Sequence, residues 1–348
     1  MDDLNEIEEE VQPEGEKLNY RSAVTVSVLL AVSLVCSSFF SGVVSAVTLV
    51  ISVACGAFLT TVYPYFIVPI PVAAAFGLVA FLSSPLAAAM SVIVPAVLSV
   101  VVGLCARFRR NLQTAVASGT VFILVCVTCA VIFTVYVQEG SISADSLINF
   151  AKQGYENMTS AFTDALTVSD GTQEITLVDS KQIAQFSRSA IALMPGLTVL
   201  VASLLVYIST RAHRFFLRVF GFNEKVSEDY LRFDMGLVSA FVYLAVLLLS
   251  FIFSLIPSAE IAYFSVENFK LILLMYFFIT GCSAIRRFFS SKRPGFGILG
   301  CMTLMIFGFF AFSVIIYLIY PLATMISVIG ALSVIKRKGP WADRESGK

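Results

Sequence analysis

The chain has 348 residues, 58% of them hydrophobic and only 13% charged, with zero formal net charge and a mean hydropathy of +0.90. A soluble globular chain carries about 25% charged residues, so this composition excludes an ordinary water-soluble domain and points to the bilayer. A single histidine, His213, also excludes chemistry built on paired histidines, such as the HExxH metal motif.

The chain opens with eight acids in its first sixteen residues (Asp2, Asp3, Glu6, Glu8, Glu9, Glu10, Glu14, Glu16). Residues 1–20 read as a solvated, disordered cytoplasmic tail, with partner docking as the alternative. No basic segment precedes the first apolar run, so the first span is expected to be retained rather than cleaved. From Ser22 to Ala106 there is no Asp, Glu, Lys, Arg, His, Asn or Gln. At about 20 residues per crossing of a ~30 Å hydrocarbon layer this run supplies about four spans. They are placed near 22–41, 43–61, 64–82 and 86–106.

Arg107, Arg109 and Arg110 follow, then a fifth span from about Thr114 to Val137. A sixth span covers 187–209, with Pro195-Gly196 near its middle, and leads into a basic-aromatic segment, 211–234. A seventh span is read at 235–256, a short loop at Pro257 to Ser265, and an eighth span at 266–285. The apolar stretch 296–335 suits two spans broken at Tyr320-Pro321, and Lys336-Arg337-Lys338 closes it. With ten crossings and the N-terminus inside, nineteen Lys and Arg fall in cytoplasmic segments and only Lys152, Lys181, Arg188 and Lys270 outside, as the positive-inside rule asks. Both termini are then cytoplasmic at the plasma membrane.

The external segment 138–186 carries Leu147, Ala151, Tyr155, Met158, Phe162 and Leu166 at intervals of four or three, one face of an amphipathic helix. Ser143 is placed to cap it and Asp145 to favour its first turn. Asp170-Gly171 marks a turn, and a second helix is expected from about Asp179-Ser180 into the sixth span. The fold expected is an all-α polytopic membrane bundle of about ten transmembrane helices with an external amphipathic helix. Its parts are a five-span bundle at 21–137, the external loop at 138–186, a five-span bundle at 187–335 and a basic tail at 336–348.

No catalytic constellation can be assembled. There is no P-loop, no glycine-rich dinucleotide fingerprint and no paired acids on a span, so the chain is not expected to be an enzyme, and no cofactor or metal is implied. Cys126 and Cys129 form a CxxC inside an apolar run without a second pair, and read as small buried apolar residues. Glu267 and Lys270 are the ionisable residues at a span, one turn apart at the outer start of the eighth. They are either an interfacial pair reaching for headgroups or part of a substrate entrance. Pro69, Pro71 and Pro95 free backbone carbonyls, which membrane transporters use at binding sites; kinks without a ligand are the alternative. Arg107, Arg109, Arg110, Arg211, Arg214 and Arg218 are candidate contacts for anionic headgroups or a cytoplasmic partner, and beside span ends their mixture with phenylalanines does not read as a nucleic-acid patch. His213 reads as an interfacial member of that cationic flank.

The layout resembles a family of YybS-like membrane proteins of Gram-positive bacteria whose function is unknown. The resemblance is carried by Pro69-Ile70-Pro71, by the helical external loop before Met194-Pro195-Gly196, and by Asn268. It continues in Gly281 followed by Arg286-Arg287-Phe288-Phe289, and in Gly330 ahead of Lys336-Arg337-Lys338. No basic residue follows soon after the Pro-x-Pro, where Phe76-Gly77-Leu78 stands. The N-terminal half of that family is similar in hydropathy to the substrate-binding S-components of energy-coupling-factor vitamin transporters. The resemblance therefore implies a small-solute-binding membrane protein energised by a separate membrane or ATPase subunit. The reading from a different class is a membrane scaffold or regulator that recruits partners through its basic loops.

Overall fold

The computed structural model describes residues 20–64, 67–169, 174–176, 180–222, 235–292 and 316–338. Four apolar helices open the chain: α1 (Tyr20–Phe39), α2 (Gly42–Val62), α3 (Pro69–Leu82) and the short α4 (Pro85–Ala88). A π-helical turn, Ala89–Ile93, joins α4 to α5 (Val94–Arg107). Then come α6 (Leu112–Glu139), the amphipathic helix α7 (Ala144–Leu166), and two short strands, β1 (Thr167–Ser169) and β2 (Glu174–Thr176). The chain continues with α8 (Ser180–Val219), α9 (Leu237–Ser254), α10 (Glu260–Lys292) and α11 (Ile316–Lys338). Among the described residues seven helices are long and apolar enough to cross a membrane. Their outward faces carry Val24, Val28, Val47, Val121, Val238 and Phe251 exposed, a pattern suited to lipid and costly in water.

Several boundaries differ from the sequence reading. Pro69 and Pro71 do not kink a long third span. Pro69 is the first residue of a 14-residue helix, where its missing N–H would have had no partner in any case. Pro95 follows the π turn; the widened backbone lies where its ring would otherwise press on the carbonyl four residues earlier. The expected break at Tyr320-Pro321 is absent, because α11 starts at Ile316 and runs through Pro321. The loop expected up to Ser265 shrinks to a 3-10 turn, Pro257–Ala259, and α10 begins at Glu260. Arg211 to Val219 are not a separate interfacial helix but the continuation of the 40-residue α8.

The amphipathic helix expected within 138–186 is present as α7. The Ser143 hydroxyl accepts from the Ser146 N–H at 3.1 Å, and Asp145 lies in the first turn of α7. β1 and β2 pair antiparallel, Val168 opposite Ile175. The acidic tail, the turn at Asp170-Gly171, the segment 223–234, the expected ninth span before residue 316 and the end of the basic tail lie outside the described residues.

The helices form two units that interleave along the sequence, so the division does not follow the sequential split at 137/187. Unit 1 comprises residues up to Ala115 together with Val206–Tyr230, and unit 2 comprises Val116–Leu205 and Leu231–Lys348. In unit 1, Val26, Leu30 and Leu34 of α1 pack with Phe58 and Leu59 of α2, Ala75 and Val79 of α3, Val92 and Leu217. Close approach of α2 and α5 depends on small residues. A Cβ on Gly56 would stand 2.1 Å from Ser99 Oγ, and one on Gly103 would stand 2.6 Å from Thr60 Cβ. In unit 2, Ala240, Tyr243, Leu271, Leu274, Phe277, Ala331 and Val334 form the core, with the Tyr243 and Phe277 rings stacked at 4.8 Å.

Candidate functional site

The polar centre of unit 2 arises from how α9, α10 and α11 meet. The turn at Pro257–Ala259 folds α9 and α10 into an antiparallel hairpin. Ser250 therefore stands one turn before the end of α9, opposite Glu267, which is ~10 Å from the start of α10 at 1.5 Å per residue. α11 runs parallel to α10 at a constant offset: Tyr320 meets Glu267 and Ser327 meets Leu274, each pair 53 residues apart. Two glycines allow this approach. A Cβ on Gly281 would stand 2.0 Å from the Ile326 carbonyl oxygen, and one on Gly330 would stand 2.1 Å from that of Phe277.

Three helices thus enclose one carboxylate. Glu267 Oε1 accepts from Lys270 Nζ and from Ser250 Oγ. Its Oε2 accepts from the Tyr320 hydroxyl at 2.6 Å. Lys270 Nζ also donates to Ser250 Oγ at 3.2 Å and stands 4.9 Å from the centroid of the Tyr320 ring. Glu267 is 5% exposed and Lys270 6%. The pair is therefore not an interfacial one snorkelling to headgroups: it is an ion pair closed inside an apolar helix junction. Desolvating such a pair costs several kcal/mol per ion, and only good geometry with further hydrogen bonds offsets it. Here both charges have partners beyond each other.

One residue on, Asn268 performs a second task. Its Oδ1 accepts from the Gly196 N–H at 2.7 Å, and its Nδ2 donates to the Ala192 carbonyl at 2.7 Å and to the Phe264 carbonyl at 2.9 Å. Gly196 and Ala192 are the two ends of one helical rung of α8, immediately after Pro195, which has no N–H to give. The amide of Asn268 thus ties α10 to the point where proline weakens α8. A side chain at 196 would not fit, since its Cβ would stand 2.7 Å from Asn268 Oδ1. Sequence reading named Asn268 and Pro195-Gly196 as separate features; the structure joins them.

The residues singled out from sequence divide between the units. Glu267 and Lys270 belong to the unit 2 network; Pro69, Pro71 and Pro95 belong to unit 1. Pro69 is exposed, whereas Pro71 and Pro95 are buried. Ser250 and Tyr320 were missed, because neutral residues inside apolar runs carry no charge signal. His213 is another correction. It is fully buried in unit 1, with Nε2 3.3 Å from Thr61 Oγ1, and Thr61 also donates to the Gly103 carbonyl at 3.2 Å. A signal for its burial was present: Val206, Thr210, His213 and Leu217 follow helical spacing and are all buried. Phe216, Phe220 and Phe222 pack towards Phe58 of the same unit rather than outward.

Arg107, Arg109, Arg110 and Arg218 are exposed, and Arg211 and Arg214 half-buried; the Arg211 guanidinium lies 5.1 Å from the Tyr207 ring centroid. An open groove of about 320 Å³ between α7 and α8 is lined by Ile148, Lys152, Tyr155, Glu156, Arg188 and Ile191, apart from the buried network. Among the described residues no group of three or more His, Cys, Asp or Glu is placed to hold a metal ion.

A family model described as "Predicted membrane protein (DUF2232)" matches residues 28–330, a stretch that contains the whole network and the Asn268 bridge. The chain belongs to this family. No curated protein and no solved structure matches it. The description agrees with the seven apolar helices, and the DUF2232 match covers α1 only from its middle and stops within α11 at Gly330.

Proposed function

We propose that this DUF2232 protein has a transport-related role, binding a small solute at unit 2 under the control of the Glu267–Lys270–Ser250–Tyr320 network, with energy supplied by a partner subunit. The observation that carries this reading is the burial of an ion pair where three apolar helices meet. An ionisable pair inside a membrane bundle is expensive and marks solute pathways and gates by default, and apolar residues of similar volume would serve stability as well or better. The proline that bears on such a site is then Pro195, bridged by Asn268, rather than Pro69, Pro71 or Pro95. The resemblance to the S-components of energy-coupling-factor transporters belongs to this proposal, and it accounts for solute binding in a chain with no P-loop.

The second reading, a membrane scaffold or regulator that recruits partners through basic loops, has its own support. Pro71 and Pro95 are buried, in a unit whose core is apolar. Mass spectrometry of the protein purified in mild detergent separates the two. A stoichiometric small molecule, or a co-purifying ATPase-coupled membrane subunit, is expected. Recovery of envelope or division proteins with neither of these transfers the assignment to the scaffold.

A further inference from the structure

Three contacts gather the arginines of unit 1 at one end. Ser22 at the start of α1 bonds to Tyr63 just beyond α2. Thr61 near the end of α2 donates to Gly103 in the last turns of α5, and Thr61 also meets His213 on α8. Arg21, Arg107, Arg109, Arg110, Arg214 and Arg218 flank these contacts, and Arg211 completes the set. The described residues of unit 1 contain these seven arginines and no Asp, Glu or Lys. Among the described residues this end is therefore a field of one sign.

The α5–α6 turn holds an arginine at a backbone position that usually takes glycine. Arg109 has φ 52°, the one non-glycine residue with positive φ among those described. Its N–H bonds to the Ala106 carbonyl and the Arg110 N–H to that of Cys105, a helix-closing turn in which glycine is the usual occupant. Asn111 accepts from the Thr114 N–H and starts the next helix. Arginine instead of glycine at such a position costs conformational energy of order 1 kcal/mol, and the turn leaves Arg107, Arg109 and Arg110 exposed.

We propose that the acidic segment 2–16 of this same chain docks across the arginine end of unit 1. Its eight carboxylates answer seven guanidinium groups. It enters α1 at the residue beside Arg21, so it starts at the face it would cover. At ~3.3–3.6 Å per residue, fifteen residues reach up to about 50 Å, enough to cross the end of a helical unit. Tethering at so short a distance gives an effective concentration of order millimolar, and carboxylate–guanidinium pairs are well matched in geometry.

The test uses the full chain with p-benzoylphenylalanine at position 11, reconstituted in nanodiscs and photo-cross-linked, with cross-linked peptides identified by mass spectrometry. In phosphatidylcholine discs the cross-links are expected on peptides containing 107–110 or 211–218. Raising salt from about 0.05 M to about 1 M, where the Debye length falls to about 3 Å, should reduce them several-fold. So should neutralising the eight acids to Asn and Gln, a change outside the packed core that leaves every arginine in place. Cross-links elsewhere, or insensitive to salt and to neutralisation, overturn the proposal. Cross-links seen in phosphatidylcholine but lost in discs containing phosphatidylglycerol also overturn it, and assign the face to anionic headgroups instead.

Discussion

At Glu267 one carboxylate collects three donors from three helices, and each donor has a different weight. Lys270 supplies the compensating charge, Tyr320 a bond to Oε2, and Ser250 a link that both charges share. Breaking a buried pair by removing one partner costs about 3–5 kcal/mol, more than replacing both. Lys270→Met is therefore expected to destabilise unit 2 by about that amount, whereas the double variant Glu267→Gln with Lys270→Met recovers most of the loss; thermal unfolding in detergent measures both. Tyr320→Phe should cost less, about 1.5–3 kcal/mol for a hydrogen bond to a charged group. The i,i+3 spacing made the pairing of Glu267 with Lys270 legible in the sequence. Its burial was not, because Ser250 and Tyr320 stand 17 and 53 residues away and are neutral.

Among the elements, spans were legible wherever a polar-free run had clear ends, as in α1, α2, α6 and α9. Proline positions were misread because a proline's effect depends on its place in the helix. Pro69 starts α3, Pro95 follows a π turn, and Pro321 is carried inside α11. Contacts between elements hang on glycines that hydropathy does not reveal. Gly330→Ala is expected to force α10 and α11 apart at a cost of about 1–3 kcal/mol, as overpacking does. Gly77→Ala, with nothing within 4 Å of the added carbon, should leave stability unchanged or slightly raised. Thermal unfolding of the two variants side by side checks this. Asn268→Ala removes both bonds to the α8 rung; faster hydrogen exchange at residues 192–198 is expected, with other α8 amides little changed.

For the whole molecule, the membrane class was legible from composition, since 13% charged residues leave too little polar surface for a water-soluble domain. The interleaving of two units was not, because nothing local in α8 tells where a continuous 40-residue helix passes from one packing partner to another. Charge asymmetry makes a topological prediction: a tag at residue 165 should be labelled from outside the cell, and one at the C-terminus only after permeabilisation. Labelling of both from the same side would remove the ten-crossing arrangement.

The central claim is that the buried network serves a solute and not stability alone. The measurement that tests it most directly is the occupancy of the co-purifying small molecule in the wild type and in the double variant Glu267→Gln with Lys270→Met, which removes both charges together. A fall of about tenfold or more, equivalent to about 1.4 kcal/mol or more of binding energy, is predicted while the thermal midpoint stays close to that of the wild type. Unchanged occupancy in a folded double variant would contradict the account.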